Sequence, residues 1–168
     1  MSITRSAIIS ECGTYRYSLT REWEQGDGAV LFIMLNPSTA DGSQDDPTIR
    51  RCMGFAQAWG AKRLEVRNLF AYRATKPKDM IAAQKMSVDI VGPENAAGVL
   101  CSAASATKIV CAWGAQKEAR YPGKRMINSL LDAGLVPWAL RITSAGAPEH
   151  PLFVPASVEP ARLSRQWL

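Results

Sequence analysis

Uninterrupted apolar runs alternate along this chain with segments whose apolar residues recur every three or four positions. Residues 29–35 (AVLFIML) form one such run, typical in length of a central strand buried on both faces. Residues 49–60 (IRRCMGFAQAWG) carry an apolar stripe at helical spacing and end in glycine, which predicts a helix. Before both, residues 15–28 alternate polar and apolar positions and close in a Gly-Asp-Gly turn, the pattern of an early strand or hairpin arm.

The rest of the chain repeats this alternation of strand-like and helix-like patterns. Further strands are predicted over residues 63–72, 108–114 and 135–143, and helices over residues 76–86, 93–106 and near 123–134. Strands that alternate with helices favour an α/β fold. We therefore expect a three-layer α/β/α sandwich around a roughly four-stranded, mainly parallel sheet, with residues 1–168 forming a single domain.

Composition and charge narrow the kinds of partner. The chain has 168 residues, 47% of them hydrophobic, and a formal net charge of +5. Its pI near 9.2 favours an anionic partner such as DNA or a nucleotide. The cysteines are far apart and have no neighbouring histidines to complete a zinc site, so neither a metal nor a cofactor is expected; they are Cys12, Cys52, Cys101 and Cys111.

No apolar run has the length of a signal peptide or of a membrane span. We therefore expect a cytoplasmic protein with reduced thiols and no membrane partner. The sequence leaves the oligomeric state open.

Polar residues follow four of the predicted strands at or just beyond the point where each strand ends. They are Asn36, Asn68, the Trp113–Gly114 pair and His150, the only histidine of the chain. In open α/β sheets, ligands bind outside the carboxyl ends of the strands. We therefore expect these four segments to converge on one crevice, with the loop from residue 41 to residue 50 as its wall.

Longer segments carry a family resemblance. The segments LFIMLNPSTADGSQDDPTIRRCMGFAQAWG and VRNLFAYRATKP resemble a bacterial and phage family catalogued as domain of unknown function 1643 (DUF1643), over most of the chain. More distantly, the layout resembles the uracil-DNA glycosylase superfamily. The motifs of that superfamily are an Asn-Pro at a strand end, an Asn that reads the base, a Trp-Gly followed by Ala and Gln-Lys, and a closing His-Pro. The matching segments here are LNPS (35–38), VRN (66–68), AWGAQKE (112–118) and EHPL (149–152).

The resemblance implies a uracil-DNA glycosylase-like fold and hydrolysis of the N-glycosidic bond to a base in DNA or in a nucleotide. His150 would then donate to the negative charge that develops on the base, and Asn36 would orient the attacking water. The aspartate loop departs from the superfamily pattern, and Asp45 or Asp46 could activate that water or bind a magnesium ion. Asn68 offers the paired donor and acceptor that suit a base edge. Further substrate contacts would come from Pro37, Ser38, Trp113 and Gly114. The alternative is a base- or nucleotide-binding module on the same scaffold, without catalysis.

Each of these positions also has an ordinary structural interpretation. The Asn36–Ser38 segment could be a strand-ending turn in which Ser38 or Thr39 caps the next helix. Asn68 could satisfy a neighbouring backbone carbonyl. The aspartates of the loop could be turn and cap residues; they are Asp41, Asp45 and Asp46. The tryptophans at element ends favour core packing over base stacking; they are Trp59, Trp113 and Trp138.

Charged and apolar surface segments point to a nucleic-acid partner. The segment KEARYPGKR (117–125) surrounds Tyr121 with basic side chains and predicts phosphate contacts from Lys117, Arg120, Lys124 and Arg125. A second cluster could track phosphates or form a solvated rim; it comprises Lys62, Arg63 and Arg67. The segment EHPLFVP lacks the serine that usually follows this motif in DNA-binding members. Leu152 and Phe153 stand where an intercalating loop could sit and could form an apolar wedge that holds a kinked duplex open.

Overall fold

The computed structural model describes residues 2–38 and 40–165. Within these residues the chain forms one seven-stranded sheet and four α-helices. In chain order the elements are β1 (Ile3–Ile9), β2 (Arg16–Trp23), β3 (Ala29–Met34), α1 (Pro47–Ala58), β4 (Arg63–Asn68), α2 (Pro77–Lys85), α3 (Asn95–Ser105), β5 (Lys108–Cys111), α4 (Arg120–Asp132), β6 (Pro137–Ala139) and β7 (Ala161–Arg162). Short 3₁₀ helices lie at Lys117–Ala119 and Pro151–Phe153.

The strands are ordered β1-β2-β4-β3-β5-β6-β7 across the sheet. The four strands β4, β3, β5 and β6 run parallel, whereas β1, β2 and β7 join their neighbours antiparallel. The α/β class is therefore confirmed, but the sheet has seven strands and not the roughly four expected, and its parallel part is limited to β4, β3, β5 and β6. The missed edge strands gave no usable pattern, because β1 is mostly exposed and β7 has only two residues.

The central strand β3 separates two apolar layers. Phe32 faces α1, where its ring stacks on Trp59 at 6.2 Å and lies 6.4 Å from Phe55. Leu31 and Ile33 point to the opposite face, where they pack with buried residues of α2, α3 and α4. The prediction that residues 29–35 include a central buried strand is confirmed, since β3 pairs with β4 on one side and β5 on the other.

The predicted strands end earlier than their apolar runs: β3 ends at Met34 and β5 at Cys111. In the run from residue 63, β4 ends at Asn68, and Leu69 and Phe70 then donate to the carbonyls of Met34, the last residue of β3, and of Leu35. The run from residue 135 contributes only Pro137–Ala139. None of the helices in the described part of the chain is long and apolar enough to cross a membrane.

Candidate functional site

A cavity of about 650 Å³ opens at the carboxyl ends of β3, β4 and β5. Its wall is completed by the first turn of α1, by the start of α2 and by the loop that carries His150. Asn36, Asn68, Trp113–Gly114 and His150 all line it, so the expected convergence of four strand-end segments is confirmed. The cause is the parallel direction of β4, β3 and β5, which brings their ends to one edge.

Asn68 borders this cavity and carries an unsatisfied, buried polar group. Its side chain is only 2% exposed, and Nδ2 has no hydrogen-bond partner among the described residues. Its backbone carbonyl, by contrast, accepts a 2.9 Å hydrogen bond from Asn95 Nδ2. The interpretation that the Asn68 amide satisfies a neighbouring carbonyl is therefore wrong. A buried donor without an acceptor costs about 1–3 kcal/mol, so a ligand that brings an acceptor would recover that energy.

Asn36 is held rigidly by its amide nitrogen. Nδ2 donates to the carbonyls of Ala74 at 2.9 Å and Pro37 at 3.1 Å. The same turn is fixed by the Ala74 N–H, which donates to the Pro37 carbonyl. With the nitrogen occupied, the carbonyl oxygen of the Asn36 side chain is the atom left for a cavity partner. Ser38 lines the cavity, whereas Pro37 is buried beneath it and makes no part of the lining.

The loop around His150 fixes both the position and the tautomer of the ring. The Gly114 N–H donates to the Pro148 carbonyl at 2.8 Å, which ties this loop to the end of β5. Gly114 itself has φ +78°, a left-handed turn that suits glycine. His150 Nδ1 accepts from the Leu152 N–H at 3.3 Å, so the neutral ring carries its proton on Nε2. Burial lowers the pKa of His150, with Asp46 opposing that effect, and the ring is therefore a neutral donor at pH 7.

The three loop aspartates have separate roles. Asp46 lines the cavity and caps α1, because its Oδ1 accepts from the Ile49 N–H at 2.8 Å. Asp45 does not line the cavity, and its carboxylate pairs with Arg21 at 2.6 Å and with Arg5 at 3.3 Å. The expectation that Asp45 activates water therefore has no geometric basis. Asp41 accepts from Ser43 and Gln44, and these hydrogen bonds lower its pKa to about 2.

The predicted helix cap near residue 38 is not the one that forms. The structure uses Asp46 as the N-cap of α1, followed by Pro47 at the first helical position. Ser38 lies eight positions earlier in the chain and lines the cavity instead. Thr39, the other cap expected, lies outside the described residues. The loop wall expected from residues 41–50 is therefore made by its second half, where Asp46 and the first turn of α1 border the cavity.

The tryptophans belong to the core and its edges. Trp113 is buried and touches α4 at Gly123, where an added Cβ would lie 2.7 Å from the ring. Its ring therefore has no free face on which a base could stack, although the residue borders the cavity. Trp59 stacks on Phe55 at 5.5 Å. Trp138 lies under Lys108 and Arg162, whose charged groups are 4.9 and 5.1 Å from its ring centre.

Exposed apolar and basic groups surround the mouth of the cavity. Leu152 and Phe153 line the cavity while 46% and 70% exposed. The predicted basic segment begins directly after Gln116, a lining residue, and continues into α4 with exposed side chains. These are Lys117, Arg120, Lys124 and Arg125; Arg125 also lies over the ring of Tyr121 at 5.8 Å. This arrangement is compatible with phosphate contacts beside the cavity.

The second basic cluster does not belong to the cavity. Lys62 and Arg63 are at the amino end of β4, five residues from Asn68 at its other end, and they pair with Glu22 and Glu65. Arg67 pairs with Glu65 at 2.9 Å and also donates to Ser102. Of the two interpretations, phosphate tracking near the site is not supported, because each of the three side chains already pairs with an acidic neighbour, Arg63 and Arg67 sharing Glu65.

Sequence reasoning missed Arg16. This residue of β2 lines the cavity at only 3% exposure, and its guanidinium donates to the Ala40 carbonyl. Its Nε has no hydrogen-bond partner in the described part of the chain. Burial lowers its pKa to about 10, partly offset by Asp46. The alternating pattern of residues 15–28 marked a strand but gave no sign that this arginine is buried. Within the described residues, no group of three or more His, Cys, Asp or Glu side chains could hold a metal ion.

Comparison with known proteins assigns the chain to a family. The family model described as "Protein of unknown function (DUF1643)" matches residues 16–152. This match begins at Arg16 and reaches the loop after His150, so it contains all four strand-end segments that form the cavity. No curated protein and no solved structure matched the chain. The match covers well over half of the sequence, and the chain therefore belongs to the DUF1643 family.

Proposed function

We propose that the protein is an N-glycosidic bond hydrolase that binds a base, in DNA or in a nucleotide, within this cavity. The observation that carries the proposal is the buried Asn68 amide, whose Nδ2 lacks a partner at the cavity wall. A side-chain amide offers a donor beside an acceptor, which matches the edge of a pyrimidine or a purine. A base carbonyl at Nδ2 would supply the missing acceptor. The proposal includes the distant relationship to the uracil-DNA glycosylase superfamily and a single domain over residues 1–168.

The His150 ring supports electrostatic catalysis in this proposal. When the bond between the sugar and the base nitrogen breaks, the electron pair leaves with the base and negative charge spreads to the base oxygen. A neutral imidazole with its proton on Nε2 can donate to that oxygen without first being protonated. The Leu152 N–H on Nδ1 holds the ring in this form, and the lowered pKa keeps it there at pH 7.

Two groups are suited to placing the attacking water. The free oxygen of Asn36 can accept a hydrogen bond from water, but an amide cannot take its proton. Asp46 is the only carboxylate in the described lining of the cavity, and one of its oxygens remains after Oδ1 has capped α1. In this mechanism water oxygen bonds to the sugar carbon as the base departs, and Asp46 accepts the proton.

The commitment of Asp46 to the helix cap also favours the second candidate, a binding module without catalysis. A carboxylate whose Oδ1 accepts from the Ile49 N–H is less free to reorient and take a proton from water. Such a module would use the Asn68 amide and the His150 donor to select a base and would need no activated water. The two candidates differ in one observable, the release of free base.

The test is a base-release assay on a panel of modified and unmodified oligonucleotides, nucleosides and nucleotides. The proposal predicts release from at least one substrate. His150→Ala should slow that release about a hundredfold or more, because it removes a donor worth about 3 kcal/mol in the transition state. Asn68→Ala should mainly raise KM, and Asp46→Asn should lower kcat.

Asn128→Ala is the matched control, since Asn128 lies in α4 and contacts Arg165 rather than the cavity. Its release rate should equal that of the unchanged protein. Tight binding of a substrate without release would favour the binding module. If no compound of the panel is bound and none releases its base, both candidates are contradicted.

A further inference from the structure

Arg16 places a positive charge inside the protein without a counter-ion. The residue is 3% exposed, yet no carboxylate of the described residues forms an ion pair with it. Asp46 and Asp41 favour its charge only from beyond ion-pairing distance. An unpaired buried charge is expensive, and native proteins pair such charges or use them to bind ligands.

The surroundings of Arg16 add to this positive charge. Arg73 is also partly buried, donates to the Gly13 carbonyl, and has an Nε without a partner in the described chain. Arg16 and Arg73 repel each other, as the lowering of the pKa of Arg16 by Arg73 shows. A negatively charged group at Arg16 would accept the hydrogen bond that Nε lacks and would offset the repulsion between Arg16 and Arg73.

The cavity has room and donors for more than a base. The first turn of α1, a twelve-residue helix, lies in its wall at Thr48 and Ile49, and helix N-termini favour anions. Asp46 weakens that preference locally, so the anion is expected on the Arg16 side. At about 650 Å³ the cavity falls within the range of roughly 300–1,000 Å³ that holds ligands larger than one ring.

We propose that Arg16 is an anion subsite of the cavity and binds a phosphate attached to the nucleoside whose base meets Asn68. This inference rests on the proposed function and specifies its substrate as phosphorylated. A guanidinium matches phosphate because its N–H groups form a planar fork that can donate to two oxygens at once. The phosphate can come from a free 5′-mononucleotide or from a DNA strand.

The first measurement uses the unchanged protein. Inorganic phosphate should raise its Tm by about 3–6 °C at tenfold excess over Kd, beyond the effect of potassium chloride at equal ionic strength. In addition, 5′-mononucleotides of the common bases should bind at least about tenfold more tightly than their nucleosides. Equal Tm in phosphate and chloride, equal affinity for nucleosides and nucleotides, and binding of single-stranded oligonucleotides that does not depend on Arg16 would together overturn the proposal.

The second measurement uses Arg16→Met. Removing a buried, unpaired charge should leave the Tm of the free protein unchanged or raised, while the preference for phosphate is lost. Arg16→Lys keeps the charge but not the planar fork, so it should retain part of the preference for phosphate. It replaces the methionine variant in this test if that variant does not fold. Arg162→Met, on the distant edge strand β7, is the matched control and should retain the full preference. A preference unchanged in both Arg16 variants would contradict the proposal.

An oligonucleotide arm identifies the source of the phosphate. If Arg16→Met weakens mononucleotide binding, the ligand is a free nucleotide; if it weakens only single-stranded oligonucleotide binding, the phosphate belongs to DNA. Both results support the subsite. Phosphate binding without base release would support the anion subsite and contradict the proposed hydrolysis. Base release that does not depend on Arg16 would support hydrolysis and contradict the subsite.

Discussion

His150 is a hydrogen-bond donor through Nε2 because its surroundings disfavour both the other tautomer and the doubly protonated ring. The Leu152 N–H occupies Nδ1, Phe153 packs at 5.7 Å from the ring, and burial disfavours a second proton. The ring therefore resists protonation more than a histidine in an unfolded chain. That difference has a consequence for stability as well as for chemistry.

The first prediction is an acid-dependent loss of stability that His150→Gln removes. Because the pKa of His150 is lowered below its ordinary value of 6.5, the unfolded chain takes up the proton first as the pH falls. The stability contributed by the neutral ring is therefore present above pH 6.5 and is lost as the pH falls through the folded pKa. Thermal unfolding of both proteins between about pH 7.5 and pH 5 should show a steeper decline for the unchanged protein. Parallel curves would contradict the neutral, buried ring.

The second prediction concerns the cysteines. Hydrogen bonds with Ser10 and Thr14 lower the pKa of the exposed Cys12 to about 7, whereas burial raises the pKa of Cys52 and Cys111. Alkylation by iodoacetamide, followed by mass spectrometry, should modify Cys12 with a rate that levels off above about pH 7. Cys52 and Cys111 should react only after denaturation. Their modification in the native protein would show that the core is open.

At the scale of single residues, sequence patterns predicted the polar residues at the strand ends but not those in the interior of the cavity. Asn68 and His150 were predictable because each follows an apolar run, where α/β folds place their ligands. Arg16 was not, because alternation in β2 shows which residues share a face and not whether a later loop covers that face. The pairing of Asp45 with Arg21 could not be predicted either, since it joins positions 24 residues apart through the fold.

In the proposed function, the 3₁₀ helix Pro151–Phe153 is the element that would enter a DNA duplex. It begins at His150 and presents Leu152 and Phe153 at the cavity mouth, with the Phe153 side chain mostly exposed. An exposed aromatic side chain beside a base-sized opening is the arrangement that a wedge between stacked bases requires. The role of this element is therefore testable apart from the chemistry.

The third prediction is that Phe153→Ser weakens binding of duplex DNA about tenfold or more, because the wedge loses its buried area. The Tm should change little, since the side chain is exposed. Met86→Ser, at the exposed carboxyl end of α2, removes a comparable apolar side chain away from the cavity and should bind DNA normally. Fluorescence anisotropy with a labelled duplex measures all three proteins, and equal affinities would refute the wedge.

The fourth prediction concerns the basic segment at the start of α4. Replacing Lys117 and Arg120 by alanine should reduce the slope of log Kd against log salt by about two, one unit for each lost phosphate contact. Replacing Lys62 and Lys85 by alanine removes the same charge elsewhere: Lys62 pairs with Glu22, and Lys85 ends α2. This control should leave the slope unchanged. If the two double variants behave alike, the effect is net charge and not a site.

For the whole molecule, the parallel strands were the predictable part and the edges were not. The apolar run of β3 is visible in the sequence because both of its faces are buried. The strands β1 and β7 are exposed edges whose pairing depends on neighbours far along the chain, so no local period reveals them. The cavity shows the same division. Its floor at the ends of β3, β4 and β5 and its wall within residues 41–50 were predictable, whereas its covering by β2 was not.

The central claim is that a base occupies the cavity against Asn68, and its most direct test is the side-chain amide resonance of that residue. In ¹⁵N-labelled protein, the resonance is assigned by its loss in Asn68→Asp and followed as the base, nucleoside and nucleotide panel is added. We predict that a ligand which binds shifts the Asn68 amide in proportion to occupancy, because Nδ2 gains the acceptor it lacks, while the Asn128 amide in α4 stays constant. Binding or base release that leaves the Asn68 resonance unmoved would contradict the account.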